Sequence, residues 1–211
     1  MYKNIIEFYN SINALKHQLR TGWEEVGISA DRLESVAEHV FGTAMLAFAI
    51  NEEEKLGLDM LKVYEIIMIK EIAKVNLNQE YTTNSNVSDA EAAEQGRKTI
   101  LDVTKALSCA RKVEELLKEV QEKSTKEADF AFKVAKFESD LQAKKYDTDG
   151  QFDLDKALAD VKNYGPGLTE KILPQVNNAS DGWLLYDRRY YVGDELFEGL
   201  SRELQNFSDR K

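Results

Sequence analysis

An all-α protein is predicted by three features of this chain. Its 211 residues include only two prolines and 11 glycines, too few for the turn-dense sequences of barrels and sandwiches. Apolar side chains recur at helical spacing through most of the sequence. Ser88-Asp-Ala-Glu91 and Ser124-Thr-Lys-Glu127 are capping-box signals that open helices.

The elements follow in order. Ile5, Phe8, Ile12, Leu15 and Leu19 predict an amphipathic first helix over 2–19, broken by Arg20-Thr-Gly-Trp23. A loop through Gly27 and Asp31 leads to a second helix over 33–50, with Val36, Val40, Ala44, Leu46 and Ala47 on its apolar face and Gly57 in the connection beyond. The third helix, 58–76, holds Leu61, Ile66, Ile67, Ile69, Ile72 and Ala73. It is apolar over most of its circumference and reads as a buried central helix. Residues 77–87 are polar and turn-rich, hence a loop. Helices are then expected over 88–122 and 124–145, followed by an Asp/Gly-rich loop over 147–155. A short helix over 154–163, a turn at Tyr164-Gly-Pro-Gly167, a helix over 168–174, a loop and a last helix over 193–207 complete the chain.

With 43% apolar and 31% charged residues in 24.1 kDa, the composition is that of one globular domain spanning 1–211. A single cysteine, Cys109, excludes an internal disulfide framework and fits a reducing compartment. No apolar run reaches membrane-spanning length and the N-terminus lacks a signal-peptide core, so a cytoplasmic protein is expected. A formal net charge of -10 disfavours nucleic acid and anionic membranes as partners. It leaves a local pocket able to take a small phosphorylated ligand or nucleotide.

Arg20-Thr-Gly-Trp23, Glu34-Ser-Val-Ala-Glu-His39 and Met68-Ile-Lys-Glu-Ile-Ala-Lys-Val75 together resemble the HD-domain phosphohydrolases, in particular their 5'-deoxynucleotidase-like branch. The resemblance covers about residues 12–146. It implies the HD helical bundle, with 147–211 as appended C-terminal helices packed on it, and a divalent metal as the family's default cofactor. In that branch the central helix reads Leu-Ile-His-Asp-Leu-Ala-Glu, and two His and two Asp hold the ion. Here His39 is unchanged and Glu71 is chemically similar to the Asp it replaces. Lys70 stands for the second His, Lys74 for the catalytic Glu, Asn78-Gln79 for a Gly-Asp pair, and Ala135 for the late Asp.

A protonated Lys70 has only donors and Ala135 has no ligand atom. His17, the other histidine, lies in the first helix and reads as a surface residue. These departures imply a catalytically degenerate, metal-free regulatory or ligand-binding module without a cofactor, with His39 and Glu71 as residual metal candidates. Two other classes stand beside it: a hydrolase of nucleoside phosphates with an altered site, and a structural or oligomeric partner protein.

The resemblance also implies that Arg20 and Trp23 line a substrate pocket, the planar Arg fork meeting phosphate. Alternatively Arg20 caps the first helix and Trp23 fills core between the first two helices. Lys70 either replaces the charge of the metal, paired with Glu71 or Glu38 and hydrogen-bonded to His39, or snorkels to the pocket rim. Ser35-Val-Ala-Glu38 matches the capping-box pattern, and His39 without a partner ligand is a core histidine. The ligand-binding candidates are thus Arg20, Trp23, Glu38, His39, Lys70 and Lys74. Asp147-Thr-Asp-Gly150 is no EF-hand, because Lys145 and Lys156 occupy ligand positions. The aromatic stretch Gly182–Gly193 either packs the tail or contributes to a homodimer surface, since related proteins are often dimeric.

Overall fold

The computed structural model describes residues 2–20, 22–28, 33–75 and 88–207. Among them the chain is all-α, with no strand beyond two isolated bridges, Leu19 to Ser35 and Ile28 to Phe152. It divides into two compact units, Met1–Gly22 with Glu34–Ala135, and Trp23–Leu33 with Lys136–Lys211. The four-residue helix α2 (Gly22–Glu25) carries the chain from the first unit into the second.

In the first unit, α1 (Tyr2–Ile12) gives way to a 3-10 turn at Asn13–Lys16, so the expected helix over 2–19 is shorter. Phe8 and Ile12 rest on a core of Leu15, Val36, Ile72, Val75, Ile100 and Val113. Helix α3 (Val36–Glu54) starts at a complete capping box and ends at Lys55, whose φ of 53° closes it in the left-handed region. Helix α4 (Met60–Glu71), capped by Asp59, tightens into a 3-10 turn at Ile72–Lys74. It is not buried all round. Val63, Ile66, Ile67 and Glu71 face inward while Leu61 and Met68 are exposed, because α4 packs against α3 and α6 on one side only. The expected loop over 77–87, with Gln79, lies outside the described residues.

The expected helix over 88–122 is two helices, α5 (Asp89–Thr104) and α6 (Ala110–Glu122). The predicted Ser88–Glu91 box opens the first. At its end Thr104 Oγ1 donates to the Ile100 carbonyl, a side-chain bond that bends helices, and the chain turns so that α6 packs back on α5. Helix α7 (Lys126–Thr148) is capped by Thr125, which accepts from the Ala128 N–H, rather than by Ser124. Glu127 instead accepts from the backbone N–H of Asp59.

The second unit holds the end of α7 with α8 (Leu154–Val161), α9 (Pro166–Ile172), α10 (Ala179–Asp187) and α11 (Glu195–Asn206). Helix α10 falls where a loop was expected. It packs against α8, α9 and α11 and is buried along nearly its whole length, so it has no polar face to give a 3.6-residue signature. Its Gly182 fits this crowding, since a Cβ there would come 2.6 Å from Val161 Cγ2. Within the stretch 182–193, Leu184, Leu185 and Tyr191 are buried and form core of this unit. The Asp-rich segment has structural duties: Asp147 accepts from Ser180, Asp149 pairs with Lys145, and Asp153 caps α8.

Candidate functional site

The candidate residues of the first unit are assembled by three local structures. Backbone pairing of 18–20 with 34–36, through Val36 N–H to Gln18 O and Arg20 N–H to Glu34 O, lays Arg20 beside Glu34. The Ser35 capping box fixes the first turn of α3. Ser35 N–H and Oγ both donate to Glu38 Oε2, at 2.8 and 2.7 Å, and one turn later the helix carries His39. The 3-10 tightening after α4 eclipses residues three apart, which stacks Lys74 over Glu71.

His39 and Glu71 are both buried. Arg20 Nη1 lies 2.9 Å from Glu34 Oε2 and 3.2 Å from His39 Nδ1. A guanidinium only donates, so Nδ1 is the acceptor here and Nε2 carries the ring proton. On the other side of the ring, Nε2 stands 4.0 Å from Glu71 Oε1. Glu71 is clamped by two ammonium groups, Lys70 Nζ at 3.3 Å from Oε1 and Lys74 Nζ at 3.1 Å from Oε2.

These contacts set the protonation states. Burial, then the Arg20 charge, hold the His39 pKa well below that of a free imidazole, so the ring is neutral at physiological pH. For Glu71, burial pushes the carboxyl up. Lys74 and Lys70 outweigh it and keep it well below the usual carboxylate range. A neutral imidazole and an ionised carboxylate are the forms that bind metal. The 4.0 Å gap between Nε2 and Oε1 is too long for a hydrogen bond. Glu34 offers a carboxylate oxygen within 4.8 Å of a His39 ring nitrogen. In donor chemistry, therefore, His39 and Glu34 suit a divalent cation.

The sequence candidates can now be placed. Lys70 pairs with Glu71 while its side chain remains 37% exposed. Glu38 is engaged in the capping box. His17 is exposed, just past the 3-10 turn that follows α1. Arg20 turns to Glu34 and His39. Trp23 is 1% exposed in the second unit, where it packs on Trp183 and Tyr146 at ring-centroid distances of 4.7 and 5.6 Å. It is thus a core residue of that unit rather than filler between the first two helices. Ala135 is buried on α7 and offers no ligand, whereas the same helix carries the buried carboxylates Glu138 and Asp140 farther along. Glu34 opens the matched run Glu34–His39 but was not among the sequence candidates. The pairing of 18–20 with 34–36 is what brings it beside Arg20 and His39.

Comparison with known proteins agrees with this picture. The family model described as HD domain matches residues 12–176. A Dictyostelium discoideum protein named 5'-deoxynucleotidase HDDC2 is 26% identical over 151 residues, covering 68% of this chain and 78% of that protein. The Schizosaccharomyces pombe protein named 5'-deoxynucleotidase hdd1 is 26% identical over 150 residues, covering 68% and 73%. A human protein named 5'-deoxynucleotidase HDDC2 is 24% identical over 147 residues, covering 69% of each chain. In fold, a crystal structure of a Pyrococcus horikoshii protein matches with a TM-score of 0.58 at 20% identity over 96% of this chain and 99% of that one. These relatives overturn the expectation of a catalytically degenerate, metal-free regulatory module. That expectation weighed only the matched ligand positions, whereas the relatives carry enzyme names and the fold sets the Glu34 carboxylate beside His39.

Proposed function

Because the chain belongs to the HD-domain family, we propose that it is a phosphohydrolase releasing inorganic phosphate from nucleoside 5'-monophosphates, with a site altered from the family pattern. The observation that carries this reading is the buried His39–Glu71 pair ringed by three cations, Arg20, Lys70 and Lys74. In an otherwise acidic chain, such a concentration of positive charge suits a phosphate dianion. The names of the relatives favour a deoxynucleotide among nucleotides. No helix among the described residues is long and apolar enough to cross a membrane.

A divalent cation held by His39 and Glu34 would lower the pKa of a bound water and polarise the phosphoryl oxygens. The chain's own residues do the rest. Arg20 presents a planar fork to two phosphate oxygens, and Lys70 and Lys74 neutralise the remaining charge. Glu71, with its depressed pKa, is a weak base, so its role is to orient a water by accepting a hydrogen bond. Water attacks phosphorus, the bond to the 5' oxygen breaks, and the nucleoside leaves with its 5' hydroxyl.

The test is phosphate release from a panel of deoxy- and ribonucleoside monophosphates with manganese, cobalt or magnesium present. Activity should fall by at least about 100-fold in His39→Ala. Absence of release from every nucleotide with every metal would refute the reading.

A further inference from the structure

The Arg20 guanidinium stands on the two groups that suit a metal ion. Its Nη1 donates to Glu34 Oε2 at 2.9 Å and to His39 Nδ1 at 3.2 Å. All three side chains lie well inside the protein, Arg20 12% exposed, Glu34 7% and His39 4%. Glu34 and His39 each offer a donor atom, and the two lie within 4.8 Å of one another.

An ion and Arg20 cannot hold these groups together. A neutral imidazole has one lone pair and one N–H. With Nδ1 accepting from Arg20, the lone pair is taken. An ion bound at Nδ1 displaces the guanidinium outright. An ion bound at Nε2 sends the ring proton to Nδ1, where it would oppose an Arg20 N–H. Either way the Arg20–His39 bond breaks. At Glu34 the ion and the guanidinium are like charges at short range, in a buried place where little water screens them.

How Arg20 is held decides where it goes. Its backbone N–H stays on the Glu34 carbonyl at 2.9 Å, so the chain is pinned while the long side chain turns about its own torsions. A guanidinium driven off two acceptors inside a protein needs new ones, and a phosphate dianion supplies them bidentately. We propose that Arg20 is a plug on the metal ligands: a divalent cation displaces it from Glu34 and His39 and, on the phosphohydrolase reading, so releases it to the substrate phosphate. The plug also holds down the apparent metal affinity, as for any ligand whose binding-competent state is the minor one.

The test is calorimetric titration of manganese and of zinc into wild type, Arg20→Met and the double variant Arg20→Met/His39→Ala. Arg20→Met should bind at least about tenfold more tightly than wild type, and the double variant should lose that gain. Because Arg20→Met removes a charge partner of buried Glu34, it should melt lower, and metal should raise its melting temperature more than that of wild type. A variant that folds only once metal is added gives the same result in stronger form. A crystal structure of manganese-loaded wild type checks the displacement without any substitution, with Arg20 Nη1 expected beyond about 3.5 Å from His39 Nδ1. Equal or weaker binding by Arg20→Met overturns the proposal, as does a gain that survives in the double variant. So does an Arg20–His39 bond that persists beside a bound ion, or failure of both single-chain forms to bind either metal. Wild-type turnover is read separately: its absence, with the metal results as expected, refutes the phosphohydrolase reading and leaves the plug standing.

Discussion

Individual residues in this protein are governed by how their charge is matched once buried. Glu71 and Asp140 make the contrast. Glu71 has two ammonium partners and stays ionised, whereas Asp140, fully buried in the second unit, accepts one hydrogen bond from Tyr191 Oη at 2.8 Å. Burial, with the nearby Asp187 charge, pushes the Asp140 carboxyl well above its usual range, against the smaller pull of the Tyr191 bond, Lys136 and Arg188. A carboxyl whose folded pKa is raised stabilises the fold below its unfolded pKa of about 3.9, and that stability is lost as pH rises through the folded value. Asp140→Asn keeps an acceptor for Tyr191 without the ionisation. Its melting temperature should therefore exceed that of wild type at pH 7–8 and match it near pH 4, with a flatter pH profile between. Parallel profiles for the two proteins would show that Asp140 does not titrate in the fold. Sequence alone did not mark Asp140, because the Tyr191 contact joins residues 51 apart and the Asp187 charge comes from another helix.

At the scale of elements, capping chemistry was legible and helix interruption was not. The boxes at Ser35 and Ser88 are formed as their sequences indicate, since both partners lie within four residues. The break between α5 and α6 depends on one hydroxyl turning onto a backbone carbonyl, which no periodicity reports. The C-termini of α3 and α6 are also unusual: both close on lysine, Lys55 at φ 53° and Lys123 at φ 46°, where glycine is the ordinary choice. Replacing Lys55 with Gly should stabilise the protein by about 0.5–1 kcal/mol, removing the left-handed strain at the loss of only a weak exposed pairing with Glu52. Chemical denaturation reads this directly, and an unchanged or lower midpoint would mean the strain is negligible.

For the whole molecule, the all-α class was plain in the sequence because proline, glycine and spacing pointed the same way. The candidate site was half legible. His39, Lys70, Glu71 and Lys74 were marked by motif position, while the Arg20–Glu34–His39 contact required backbone pairing between segments 14 residues apart. Trp23 was misplaced because the chain enters the second unit at residues 23–33, returns to the first, and re-enters at 136. Its aromatic partners lie more than a hundred residues downstream, beyond the reach of local patterns. Charge acts at this scale as well. A net charge of -10 sets surfaces against one another, so raising sodium chloride from 10 to 150 mM should lift the melting temperature by about 2–4 °C, the shift that ~1 kcal/mol produces in a chain of this size. A fall over that range would mean that attractive pairs dominate the surface.

The clamp of Lys70 and Lys74 on Glu71 also constrains how this protein can evolve. Glu71 is tolerable in its buried place because both lysines neutralise it, and each lysine is held inward by Glu71. Losing the lysines first would strand a buried anion, and losing the acid first would leave two ammonium groups repelling each other. The three positions are therefore bound to change together. Such mutual dependence would preserve the trio through long divergence even where the rest of α4 drifts.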